Sequence, residues 1–111
     1  MRKKKILESK LESDAIKWAR DELGLLSRKM NGLGFNSWPD RLFTPARKKA
    51  HAKRRTPMPL LWIEFKREGK EPTEAQAELH AELRERGQEV HVCDKLGEFK
   101  LVATDYVRSL T

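Results

Sequence analysis

Glu64 and Lys66 stand two residues apart near the end of the apolar run "LLWIEFK" (residues 60–66). A strand repeats every two residues, so Leu60, Trp62, Glu64 and Lys66 share one face, while Leu61, Ile63 and Phe65 share the other. Apolar residues on both faces predict a central strand covered on each side. Opposite charges at the end of such a strand break the local rule, and breaks of that kind gather at functional or strained sites. Asp40 directly follows Pro39, whose fixed backbone would hold it still. In "LESKLESDAIKWARDEL" (7–23), Glu8 and Glu12 fall within the arc of Leu11, Ala15 and Ala19 at about 100° per residue. A carboxylate turned toward a core needs a partner or a metal. Glu12 (or Glu8), Asp40 and Glu64 can therefore converge beside one ammonium, Lys66.

Clustered carboxylates without a thiolate or a convincing His partner suit a hard cation, Mg²⁺ or Mn²⁺, which takes oxygen ligands. Such an ion polarises a phosphoryl oxygen and lowers the pKa of a bound water. Lys66, ~7 Å beyond Glu64 on the same strand face, can position that water or neutralise charge on the phosphate. One residue more or less between them would turn the lysine to the opposite face. Taken alone, Glu64 and Lys66 read equally well as an ion pair emerging into solvent, and each helix glutamate as a solvated edge residue. His51, His80 and His91 have no metal-like spacing and read as surface or strand residues. Trp18 and Trp62 read as core, and Trp38 reads as packing rather than as a platform for a base.

These groups need elements to carry them. Leu7, Leu11, Ala15, Trp18, Ala19 and Leu23 recur at helical spacing, and Gly24 supplies a stop, so 7–23 is predicted as a helix. "LSRKM" (26–30) and "DRLF" (40–43) read as short strands, separated by an Asn31-Gly32 turn and a loop over 32–39. After the strand 60–66, Thr73 and Gln76 form a capping-box signature for a helix to about Arg86, ended by Gly87. Ala75, Leu79, Leu83 and Arg86 are expected on one side of it. "EVHVC" (89–93) alternates as a strand, and "ATDYVRSL" (103–110) closes the chain as a helix. The order helix, three strands, helix, strand, helix predicts an α/β domain: a small mixed sheet flanked by helices. Strand 60–66, helix 73–86 and strand 89–93 form a βαβ unit that should be parallel. One domain, 1–111, is expected, with a basic insertion at 44–59.

The ordered set formed by a helix glutamate, "PD" (39–40), "EFK" (64–66) and "TEAQ" (73–76) resembles the PD-(D/E)xK nuclease superfamily. More narrowly, "WPDRLF…LLWIEFKREGKEPTEAQAELHAELRERGQEVHVCD" is similar to the VRR-NUC domain, a small nuclease domain found alone in phages and bacteria and fused to larger repair nucleases. The resemblance covers roughly residues 8–94 and implies a restriction-endonuclease-like fold. Carried over by position, it implies Asp40 and Glu64 as metal ligands joined by the backbone carbonyl of Phe65. It further implies Lys66 as the catalytic lysine, Gln76 as a polar residue near the site, and Glu12 as a further ligand with Glu8 in reserve. Two features depart from the family pattern. Glycine usually stands shortly before PD, where this chain has "NSWPD" and puts Trp38 at the entrance, and the segment 44–59 is longer than the usual link.

Lys and Arg outnumber Asp and Glu by 24 to 17, a net charge of +7. That balance suggests a polyanionic partner, nucleic acid first and an acidic membrane surface second. Arg47, Lys48, Lys49, Lys53, Arg54 and Arg55 crowd one acid-free segment and are expected to contact phosphates without reading sequence. No apolar run is long enough to span a bilayer, and the first helix carries too many acids for a membrane-surface helix. The lone Cys93 fits a reducing cytoplasm, that of a bacterium or a phage-infected cell, and reads as a buried strand residue. The expected activity is metal-dependent hydrolysis of DNA, with no small-molecule cofactor. Family tendencies imply a homodimer and cleavage of branched or Holliday-junction DNA. The rival reading is a non-catalytic basic DNA-binding domain that kept the fold.

Overall fold

The computed structural model describes residues 2–30, 37–45 and 60–110. The basic segment beyond Pro45, with Arg47, Lys48, Lys49, Lys53, Arg54, Arg55 and His51, lies outside the described residues, as do Asn31-Gly32 and most of the predicted loop.

Among the described residues the elements are α1 (Arg2–Leu23), β1 (Leu26–Lys29), β2 (Arg41–Thr44), β3 (Leu61–Phe65), α2 (Glu74–Glu85), β4 (Glu89–Cys93) and α3 (Leu96–Ser109). The strands form one sheet in the order β1-β2-β3-β4. β1 and β2 are antiparallel, β2 and β3 antiparallel, and β3 and β4 parallel, so the expected mixed sheet is present. β3 lies between partners on both sides, and all five of its residues are buried, as its two-faced apolar pattern requires.

The alternation along β3 divides the interior. Leu61, Ile63 and Phe65 join Ala15 and Ala19 of α1, Phe43 of β2 and Phe99, Ala103 and Tyr106 of α3. Trp62 points the other way, with Val90 of β4 and Leu83 of α2, and Trp38, Leu42 and Leu79 pack around them. The described residues thus form three layers: α1 with α3, the sheet, and α2. Ala15 and Ala19 let α1 approach the sheet closely, while Phe99 fills the larger space, meeting the rings of Phe43, Phe65 and Trp18 at 5.3, 5.8 and 6.3 Å.

Three expectations change in detail. α1 begins at Arg2, five residues earlier than predicted, because "RKKK" offers no apolar period to read. α3 begins at Leu96 and not at 103; its buried residues Phe99, Ala103 and Tyr106 follow a four-three spacing that starts before the predicted element. On α2 the inward residues are His80 and Leu83, with Leu79 half-buried, whereas Ala75 and Arg86 are exposed. The Thr73–Gln76 capping box forms as expected. Gly24 and Gly87 end their helices with φ of 67° and 84°, a region open to glycine at little cost. No described helix is long and apolar enough to cross a membrane.

Phe99 holds the α1–α3 layer to the sheet, so Phe99→Ala is expected to cost about 3–5 kcal/mol, a large part of a typical domain's stability. Leu101→Ala, on an outward position that is 70% exposed, should stay within about 0.5 kcal/mol. Urea unfolding of both variants checks this, and similar losses would mean that Phe99 is not the anchor.

Candidate active site

The antiparallel register of β2 and β3 pairs Arg41 with Ile63 and Leu42 with Trp62. One step further, Asp40 faces Glu64. Residues opposite each other in a sheet point to the same side, so this register brings two carboxylates together across one strand pair. The backbone makes the position firm. The N–H of Met30 donates to the Asp40 carbonyl at 2.9 Å, which extends the β1–β2 ladder by one rung. The N–H of Phe65 donates to Asp40 Oδ2 at 2.7 Å. The next amide, Lys66 N–H, donates to the Cys93 carbonyl at 3.0 Å and carries the β3–β4 ladder past Phe65.

Asp40 is reached through an unusual backbone. Ser37, three residues before it, has φ 74°, and no other described non-glycine residue has a positive φ. A side chain there costs of order 1 kcal/mol or more. It coincides with the departure noted in "NSWPD": serine adopts a conformation that glycine would take freely. Pro39 is buried, and Trp38 packs on Trp62 with ring centroids 5.4 Å apart. Trp38 therefore acts as packing on the α2 side, the role expected for it.

The electrostatics follow from crowding. Burial, the neighbouring Glu64 carboxylate, a side-chain hydrogen bond with Glu64 and the more distant Glu12 push the Asp40 carboxyl up from 3.8 to about 7, while the bond from Phe65 N–H opposes them. Beyond burial, the Glu64 carboxylate beside it is the reason Asp40 holds its proton, because two close like charges resist joint ionisation. Lys66 Nζ lies 3.9 Å from Glu64 Oε2, and the lysine side chain is 13% exposed. It keeps a route to solvent while its partner is buried.

The two helix glutamates occupy different places, one turn of α1 apart. Glu8 Oε1 accepts from the N–H of Arg67 at 3.0 Å, just past the end of β3. Glu12 Oε2 accepts from Arg41 Nε at 2.5 Å, and Arg41 Nη1 donates to Ser27 Oγ at 3.3 Å. Both acids thus lie toward the end of β3 that carries Glu64. Gln76 accepts from Thr73 N–H through Oε1 at 2.9 Å, so its carbonyl serves the helix cap. Among the described residues, no group of three or more His, Cys, Asp or Glu side chains is arranged to hold a metal. What is assembled is the close pair Asp40–Glu64 with Lys66 alongside, and Glu8 and Glu12 engaged at its margin.

Sequence reasoning missed His80. It is 2% exposed, and its Nε2 lies 3.6 Å from Glu64 Oε1, beyond hydrogen-bond reach. Both atoms are buried without a hydrogen-bond partner. The signal was available: Gln76, His80 and Leu83 follow helical spacing, which turns His80 toward the sheet face bearing Glu64.

In donor chemistry, though not as an assembled three-residue site among the described residues, the two close carboxylates suit a hard divalent cation. Asp40 is crowded by burial and by Glu64, which has a buried unpartnered oxygen, and positive charge placed there would relieve both. Oxygen donors without a thiolate match Mg²⁺ or Mn²⁺, and Mg²⁺ is commonly held by one or two carboxylates with waters completing the shell.

No protein-family model matches the sequence, and no curated protein does. A solved structure described as a VRR_NUC domain is 25% identical, aligns over 90% of this chain and 97% of that one, and has a TM-score of 0.70. The resemblance read from the motif residues is borne out at the level of the fold: the mixed sheet and its flanking helices match a VRR-NUC domain, and the chain is nuclease-like in architecture.

The raised Asp40 carboxyl sets a pH dependence for the metal-free protein. Below about pH 4 the group is protonated in both states. Between about 4 and 7 the unfolded chain ionises while the folded protein keeps the proton, so stability falls as pH rises and levels off above about 7. Asp40→Asn lacks this slope and should gain on the native protein across that window. Urea midpoints measured in chelator from about pH 4 to about pH 8 test it; parallel curves would refute the assignment.

Proposed function

We propose that this VRR-NUC-like domain is a metal-dependent endonuclease that hydrolyses DNA phosphodiester bonds. The observation that supports it most is the Asp40–Glu64 carboxylate pair with the Lys66 ammonium 3.9 Å from Glu64, on a fold similar to a VRR_NUC domain. In this reading the active chain is a single domain, residues 1–111, whose basic segment 44–59 grips the phosphate backbone.

Asp40 and Glu64 would hold the Mg²⁺ or Mn²⁺, with Glu12 and the backbone carbonyl of Phe65 as further protein donors and Glu8 in reserve. When bound, such an ion would supply a Lewis acid for the phosphoryl oxygen and a water of lowered pKa. Lys66 places positive charge beside the reacting phosphate or orients the attacking water. Arg41 holds Glu12 in this structure, so recruitment of Glu12 requires that ion pair to loosen. Glu8, bonded to Arg67 N–H, fixes the turn of chain that follows Lys66. Gln76 joins the site by giving up its place in the helix cap. Dimerisation and a preference for branched DNA are carried over from the family's tendencies.

A nicking assay with Mn²⁺ on plasmid and on branched DNA decides between this reading and a non-catalytic DNA-binding domain. Native protein should cleave, while Asp40→Ala and Lys66→Ala should each lose roughly 10²-fold or more in rate. Equal background cleavage in all three would favour the binding module. A panel of branched, nicked and linear substrates then gives the preferred structure.

Neutralising Arg47, Lys48, Lys49, Lys53, Arg54 and Arg55 together should weaken DNA binding and flatten its salt dependence by roughly one unit of log–log slope for each phosphate no longer neutralised. Binding isotherms at several salt concentrations read this directly, and an unchanged slope would place the cluster away from DNA.

A further inference from the structure

His80 lies in α2, on the layer opposite α1, and its imidazole enters the sheet face occupied by Trp62, Leu83 and Val90. An aliphatic residue would suit that apolar setting. Instead, two buried polar atoms face each other there, Glu64 Oε1 and His80 Nε2, 3.6 Å apart and unpartnered. Each orphaned polar atom carries a desolvation cost, so an arrangement with neither satisfied calls for an explanation. The gap exceeds a good N–H···O hydrogen bond by only about half an ångström. Elsewhere Glu64 is drawn toward Asp40 through their hydrogen bond, and its other oxygen, Oε2, is the one near Lys66.

We propose that His80 is a positioning residue for Glu64, donating its Nε2–H to Glu64 Oε1 when the carboxylate turns to hold a divalent cation. This rests on the metal-dependent reading above and adds a residue to it. A ligand carboxylate free to rotate about its terminal bond binds less well than one anchored at its second oxygen. Donors placed behind metal ligands are typically worth 10–100-fold in affinity. His80 is suited to the task because it approaches from the layer opposite Glu8 and Glu12 and meets Glu64 at Oε1, while Lys66 lies near the other oxygen, Oε2. A purely structural histidine would behave differently: replacement by an apolar residue at that buried position would leave metal binding unchanged.

The test is Mn²⁺ affinity of the full chain, read from the electron paramagnetic resonance signal of free Mn²⁺, for the native protein, Asp40→Asn, His80→Leu and His80→Gln. The native protein should bind and Asp40→Asn should bind much more weakly. His80→Leu should lose about tenfold or more in affinity while staying folded, and His80→Gln, which keeps an N–H near the same place, should recover most of it. Native-like affinity in His80→Leu, or equal losses in Leu and Gln, overturns the positioning role. Absent Mn²⁺ binding by the native protein, or native-like binding by Asp40→Asn, would instead defeat the metal reading, and this inference with it. Imidazole ¹⁵N spectra of the native protein with Mg²⁺ give an answer even where His80→Leu does not fold. A proton on Nε2 is expected, and a bare Nε2 with the proton on Nδ1 refutes the hydrogen bond.

Discussion

Two carboxylates that would repel each other are held face to face by a strand register. Asp40 continues β2 by one residue, Glu64 lies inside β3, and the Arg41–Ile63 pairing leaves them opposite each other. Like charges in that relation destabilise a sheet. The molecule bears the cost through the pressure on Asp40 to remain protonated. Most other features near the site act to keep this pair from escaping. Amides of Met30 and Phe65 bond the backbone and side chain of Asp40, and the surrounding strands leave Glu64 no exit to solvent.

The two faces of β3 divide the labour. One is wholly apolar and joins α1 and α3 into the main core. The other begins with Trp62 and ends with Glu64 and Lys66, passing from packing to charge within a few residues. Gln88 reinforces the start of that face, accepting from Leu60 N–H at 3.2 Å and from Trp62 Nε1 at 3.1 Å. Burial at one end of a short strand thus secures the geometry at the other, as a packed interior transmits position with little slack.

Much of this was legible in the residue order. The alternation of "LLWIEFK" marks a central strand with charged side chains on one face, and the spacing of Thr73 and Gln76 marks a capped helix. Both follow from periods that depend only on local geometry. The register that sets Asp40 opposite Glu64 is a non-local fact, and no local period encodes it; only the ordered PD and ExK resemblance pointed there. His80 was overlooked because a lone histidine on a helix face is ordinarily bland, and its burial depends on how α2 is rotated against the sheet. The attachment of Glu12 to Arg41 and of Glu8 to Arg67 likewise depends on where α1 docks. Ser37 was unreadable for another reason: its backbone is imposed by its surroundings against its own preference.

The hairpin formed by β2 and β3 has two unlike ends. Asp40 and Glu64 mark one; Thr44 and Leu60 mark the other, four residues away along each strand, roughly 13 Å. The link enters and leaves the hairpin at Thr44 and Leu60, so the pairing that sets the acids opposite each other is made at the far end of both strands. Such a hairpin ties the placing of the two acids to the strand register alone, and leaves it indifferent to what joins the strands at the remote end.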